Sequence, residues 1–256
     1  MKTIGVSCTA FCTVPPVDVL NSIKEDFSHW EIFSEADHMV QALDEEFFTA
    51  AGESGMTFSL HTSIADTDIA ALNPRMREAT MMELMTELEC AADMDIDTVT
   101  IHPGIVCLSV PGTRERSIAA ARESCRLLDR AAHEYGVASV CIENMPDFPI
   151  MLGITASELA EIIDGTDLRV TFDIGHANTA GQIESMVETF GDRIANIHIH
   201  DNHGQKDEHL TIGDGDIDFR RVVGMLPNYD GRYIIESKTL ESALESQRRL
   251  RKILGQ

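Results

Sequence analysis

The amino-acid sequence predicts an α/β protein that closes into a single (β/α)8 TIM barrel over residues 1–256. Three observations carry the prediction. The chain has 256 residues and 43% apolar content, enough to bury a sizeable core, and α/β barrels of about this length routinely form one domain. Strand-period and helix-period segments alternate from end to end, with no Pro/Ser-rich linker or low-complexity run between them. No GxGxxG follows the first strand, and an open doubly wound sheet would need fewer strands than this chain supplies.

The elements follow in order. Thr3–Ser7 (TIGVS) and Trp30–Phe33 (WEIF) are short runs rich in β-branched and aromatic residues, as strands are. Thr57–His61 (TFSLH) comes next, then the helical pattern REATMMELMTELECAADM, then Thr98–His102 (TVTIH). The long helix TRERSIAAARESCRLLDRAAHEYG ends on Gly136, as a helix C-cap would. Ser139–Glu143 (SVCIE), Arg169–Asp173 (RVTFD), Ile194–His198 (IANIH) and Tyr233–Glu236 (YIIE) complete eight strands, each followed by a helix-like segment.

Composition narrows the function classes. With 43 acidic against 20 basic residues the net charge is −23, which repels nucleic acid and anionic membranes. Much of the acid lies on predicted helices and reads as a solvated outer face. The cysteines Cys8, Cys12, Cys90, Cys107, Cys125 and Cys141 form no CxxC pair and read as reduced core thiols. MKTIGVSC enters a strand at once, and nowhere do about eighteen apolar residues run together, so the expectation is a soluble cytoplasmic protein without membrane contact.

The strand ends carry the chemistry. From the third strand to the eighth, the last residues are His61, His102, Glu143, Asp173, His198 and Glu236, and every one is a metal-ligand type. In a parallel barrel these ends converge on the one face where active sites form. A histidine at one strand end is ordinarily a hydrogen-bonded structural residue; six ligand types at consecutive ends point to a divalent-metal site. His176 follows Asp173 in DIGH, and Asp207 and His209 sit in the stretch Asn196–Phe219, which holds four of the ten histidines and five aspartates. Mixed carboxylate and imidazole ligands suit zinc, manganese or iron, and the lack of cysteine argues against a closed structural zinc.

The ordered motifs LH, IHPG, IEN, FDIGHAN, HIHDN, DEHLTIGDGDIDF and IIES over residues 57–236 resemble the xylose-isomerase-like TIM-barrel superfamily, which joins sugar and sugar-phosphate isomerases and epimerases to endonuclease IV. The resemblance to the epimerase-like members implies one metal held by Glu143, Asp173, His198 and Glu236, with His176 contacting substrate. The resemblance to endonuclease IV implies three zinc ions, with His61, His102, His176, Asp207 and His209 as further ligands. This chain has all nine residues. The nuclease follows its first histidine with Ala-Pro-Tyr, whereas this chain reads His61-Thr62-Ser63-Ile64 and continues with Asp66 and Asp68, where a phosphate backbone favours lysine or arginine.

The expected function is therefore a metal-dependent isomerase or epimerase of a small sugar or sugar phosphate. It would use a metal-stabilised enediolate, with Glu143 and Glu236 as acid and base and zinc or manganese as cofactor, in one to three ions. A multinuclear zinc phosphoesterase related to endonuclease IV is the alternative, and a non-catalytic metal-binding barrel the third reading. No nucleic-acid partner is expected, and homo-oligomerisation is left open. Lys238 is a candidate contact for a substrate phosphate or carboxylate. Glu35 either lines the pocket or begins a helix. His200 shares strand parity with His198 and is set aside as the ligand on the family match alone, while His29, His38, His133 and His203 read as surface residues.

Overall fold

Eight parallel strands pair in chain order and close on themselves in the computed structural model, which describes all 256 residues. They are β1 (Thr3–Ser7), β2 (His29–Phe33), β3 (Thr57–His61), β4 (Thr98–Ile101), β5 (Ser139–Glu143), β6 (Arg169–Asp173), β7 (Ile194–Ile199) and β8 (Arg232–Glu236). The closing pair runs in unbroken register from Thr3 opposite Arg232 to Ser7 opposite Glu236. Between β6 and β7 the register slips at Val170/Thr171, and this brings Asp173 opposite His198. Strand β4 ends at Ile101, one residue short of the expected His102, because Pro103 offers no amide to continue the ladder.

Helices α1 (Pro16–Ile23), α2 (Glu45–Ser54), α3 (Pro74–Asp93), α4 (Thr113–Tyr135), α5 (Ala156–Ile162), α6 (Ile174–Thr179), α7 (Ile183–Phe190), α8 (Phe219–Met225) and α9 (Leu240–Leu254) form the outer ring. Their starts are chemically marked: Asp44, Asn73, Thr155 and Thr239 each accept a first-turn amide, and Pro16 and Pro74 stand where a missing amide costs nothing. Gly136 ends α4 at φ +77°, as its position in the sequence predicts. No helix is long and apolar enough to cross a membrane.

The apolar core lies between strands and helices. Trp30 is its largest member, edge-on to Phe11, Phe47 and His38. Two histidines read as surface residues are thus corrected. His38 is buried against Trp30, with Nε2 2.8 Å from the Val14 carbonyl. His29 is fully buried: β2 starts one residue earlier than WEIF suggests, so His29 belongs to the strand, its ring meeting Ser59 on the same face as Glu31. His133 and His203 are exposed, as expected. All six cysteines are unpaired; Cys8, Cys12, Cys125 and Cys141 are buried, but Cys90 is only half-buried and Cys107 is exposed, in the loop after β4.

The acidic outer face also has an exception. Glu87 of α3 turns inward and is fully buried, its Oε1 accepting the Ser63 amide at 3.1 Å and its Oε2 without a partner. Burial pushes its carboxyl up to about 7, against the pull of hydrogen bonds from Ser34 and Ser63. A folded pKa above the unfolded one means stability present at low pH and lost as pH climbs from about 4.5 to about 7. Glu87→Gln is therefore expected to gain on the wild type between pH 5 and pH 8, by at most about 3 kcal/mol in urea unfolding. An unchanged difference at the two pH values contradicts this.

Candidate metal centre

The carboxyl ends of β5, β6, β7 and β8 deliver Glu143, Asp173, His198 and Glu236 to one point. His198 Nδ1 lies 2.8 Å from Glu143 Oε1, 3.1 Å from Glu236 Oε1 and 3.9 Å from Asp173 Oδ2. Asp173 Oδ2 is buried without a hydrogen-bond partner. An orphaned carboxylate oxygen among other carboxylates fits a cation at this point, and the oxygen and nitrogen donors suit zinc or manganese. Burial raises the carboxyl of Glu143, but His198, His102 and His61 more than offset it and hold it well below its ordinary range. Burial lowers the imidazole of His198, and Glu236, Glu31 and Glu143 drive it well above its ordinary value.

Two further groups flank this point. His61 Nε2 and His102 Nε2 stand 3.3 and 3.0 Å from Glu143 Oε2. His61 faces its Nδ1 to the Thr62 carbonyl at 3.0 Å, which leaves Nε2 to look into the site. On the other side His176, Asp207 and His209 meet: Asp207 Oδ2 is 3.4 Å from His176 Nε2 and 3.1 Å from His209 Nε2. His176 Nδ1 donates to the Asn144 carbonyl at 2.9 Å and so presents Nε2. All nine residues singled out in the sequence are therefore brought to one mouth.

Several residues that the sequence reading passed over hold these in place. Glu31 Oε1 lies 2.6 Å from His198 Nε2, on the side of the ring away from the three carboxylates. Its other oxygen accepts from Ser59 Oγ at 2.7 Å and Asn196 Nδ2 at 2.8 Å. Ser59 gives its proton to Glu31 and so accepts from His29 Nε2 at 2.9 Å. Burial, then Arg232, pushes His29 down to about 3, so it is the neutral ring that ends this chain. Asn144 clamps the end of β6 through both backbone groups of Asp173, at 2.9 Å each. A lone Glu inside an apolar strand was the available sign of Glu31.

The polar stretch after β7 is largely self-bracing. Asp201 accepts the amides of Gly213 at 2.7 Å and Gly215 at 3.0 Å, and Asn202 ties this loop to the Gly175 carbonyl. That bracing carries Asp207 and His209 back over the barrel. His200, one residue beyond the end of β7 at Ile199, packs beside Asp173 and Asp207, 3.3 and 3.4 Å from their Oδ1 atoms. Both histidines reach the mouth, not His198 alone.

Above the groups opens a cavity of about 280 Å³. Glu143, His176, Glu236, Phe33 and Met145 are among the residues that line it, and Lys238 is the one lysine or arginine that does. Glu35 does not line it. Its Oε1 accepts from Ser63 Oγ and from the amides of Ile64 and Ala65, which fixes the loop after β3. Asp68 is likewise taken up by the amides of Ala70 and Ile105 rather than facing outward.

The sequence model of the xylose isomerase-like TIM barrel matches residues 22–253. The uncharacterized protein MJ1311 of Methanocaldococcus jannaschii is 33% identical over 264 residues, spanning 98% of this chain and 88% of the relative. The crystal structure of a D-tagatose 3-epimerase-like protein superposes with a TM-score of 0.89 at 31% identity, over 100% of this chain and 97% of that one. Endonuclease IV from Thermus thermophilus shares the fold, with a TM-score of 0.73 at 20% identity over 99% of each chain. A match of this extent, on a closed eight-stranded barrel, shows that the chain belongs to the xylose isomerase-like TIM-barrel family.

Proposed function

We propose that this protein is a divalent-metal-dependent isomerase or epimerase of a small sugar or sugar phosphate. The observation that carries the reading is the convergence of Glu143, Asp173, His198 and Glu236 on one point beneath a cavity of about 280 Å³. That volume is at the small end of ligand clefts and suits a monosaccharide better than a polymer. The likeness to a D-tagatose 3-epimerase-like protein supports the substrate class.

Glu143, Asp173, His198 and Glu236 would hold the ion. When bound, a divalent cation supplies Lewis-acid stabilisation of negative charge on a substrate carbonyl oxygen. Glu143 and Glu236 both line the cavity, and in this reading they take and return the proton at the carbon beside the carbonyl. Glu236 is the more open of the two, at 15% exposure against 1% for Glu143, so it is the residue able to trade its proton with solvent. Lys238, which lines the cavity, is in this reading the charge partner for a phosphate or carboxylate. Glu31 orients the imidazole of His198 from behind, the carboxylate–histidine–metal arrangement in which outer partners tune affinity.

The phosphoesterase reading draws on one specific observation, the two further ligand groups at His61/His102/Glu143 and at His176/Asp207/His209. The two readings part on mutation. For isomerisation, Glu143→Gln and Glu236→Gln each abolish activity, while His102→Ala and His209→Ala leave a measurable fraction. For phosphoester cleavage, loss of His102 or His209 costs roughly 100-fold or more in rate. Expected is deuterium entering a sugar from solvent beside its carbonyl, lost on chelation and restored by zinc or manganese. A sugar panel without exchange, together with zinc-dependent phosphodiester hydrolysis, favours the second reading.

Two more outcomes are expected. Glu31→Gln should weaken zinc or manganese binding to metal-stripped protein by roughly 10–100-fold in calorimetric titration; equal affinity removes Glu31 from the metal's support. With a formal charge of −23, no appreciable binding to duplex DNA is expected at physiological salt. Micromolar, salt-sensitive binding to an abasic duplex in a gel-shift assay contradicts that.

A further inference from the structure

His200 is the one imidazole at the mouth that neither reading above gives work. Its side chain is fully buried and does not line the cavity, so it touches no substrate. Both ring nitrogens lack a hydrogen-bond partner, although Nε2 stands 3.3 Å from Asp173 Oδ1 and 3.4 Å from Asp207 Oδ1. A buried ring without a hydrogen bond at either nitrogen is costly, and a histidine retained only for packing would satisfy at least one of them. The backbone is also cut to fit it: a Cβ on Gly175 would fall 2.0 Å from His200 Cε1. The chain therefore makes room for an imidazole whose Nδ1 has no partner and whose Nε2 faces two carboxylates outside hydrogen-bond geometry.

We infer that His200 is a fourth protein ligand of the group His176, Asp207 and His209, and that the four close around one zinc ion. This rests on the metal-binding part of the proposed function and not on its carbonyl chemistry. The donor atoms of the four lie within 4.8 Å of one another. Zinc bonds of about 2.0–2.1 Å in a tetrahedron put donors about 3.3 Å apart. The Asp207 carboxylate meets that spacing with all three rings, its Oδ2 at 3.4 Å from His176 Nε2 and 3.1 Å from His209 Nε2 and its Oδ1 at 3.4 Å from His200 Nε2. The rings of His200 and His209 stack at 3.9 Å and 17°, so a shared ion requires them to turn out of parallel about their broad terminal torsions.

A site with four protein ligands has no open position for substrate. The ion held there pins the loop carrying Asp207 and His209 to helix α6 and to the end of β7, and its role is structural. This accounts for a chain that carries more ligands than one-metal carbonyl chemistry uses. The closed set also differs from the expectation, drawn from the absence of cysteine, that no structural zinc is present.

The test uses the full chain, stripped of metal and titrated with Zn²⁺ alone, together with crystals of the zinc-loaded protein measured at the zinc absorption edge. Expected is an anomalous peak within about 2.3 Å of His200 Nε2. His200→Asn should weaken that zinc by more than the roughly 10–100-fold that an outer-shell partner would cost, while zinc at Glu143, Asp173, His198 and Glu236 is retained. A peak bonded to His176, Asp207 and His209 with His200 Nε2 beyond about 3 Å overturns the inference, as does equal affinity in His200→Asn. If that variant does not fold, the peak position in the wild type decides alone. Zinc found only at the Glu143 group ends this inference and leaves the proposed function standing; zinc at neither site ends both.

Discussion

Like charges crowded into a dry space are the constraint on which this structure turns. Glu31, Glu143, Asp173 and Glu236 all come within 3.9 Å of a ring nitrogen of His198, and the first three are almost completely buried. Each ionised group so placed costs several kcal/mol unless a positive charge answers it. The histidines answer it first: burial works against charge on His198 and His176, and the surrounding carboxylates prevail on both. A cation arriving at this point would take over that task and release the rings to act as neutral ligands.

The barrel gives up apolar packing to accommodate this. Barrel interiors are ordinarily layered with bulky branched side chains, yet here Ser59 and Asn196 both bond Glu31, Asn196 also bonds Thr100, and Thr100 bonds Thr171. What is lost inside is made up outside, where strands and helices share a contiguous core of 58 buried residues, Trp30 among them. Cohesion comes from the outer layer, and the inner layer is free to be polar.

Much of this was legible because parallel strands translate a one-dimensional pattern into a place. Ligand types at six successive strand ends marked the mouth, and five of those six residues do end or nearly end their strands; His102 follows its strand by one residue. Glu31 was marked only as a lone Glu in an apolar strand, and His29 was not legible because β2 begins one residue before the WEIF run, which left its ring outside the expected strand. His200 was weighed against His198 on shared parity and set aside on the family match alone, since nothing in the sequence shows that the loop after β7 brings Asp207 back beside its ring. Glu87 shows the limit of charge patterning, because one acidic residue on a solvated helix can rotate into the core when an amide such as that of Ser63 awaits it.

His209 sits at φ +47°, a backbone region that residues with a Cβ enter at a cost of about 1–3 kcal/mol. Glycine there would relax the chain and delete the imidazole. Heat tolerance and ligand capacity thus compete at a single codon, and a population enriched only for survival at high temperature would drift toward a sturdier barrel that has lost one of its donors.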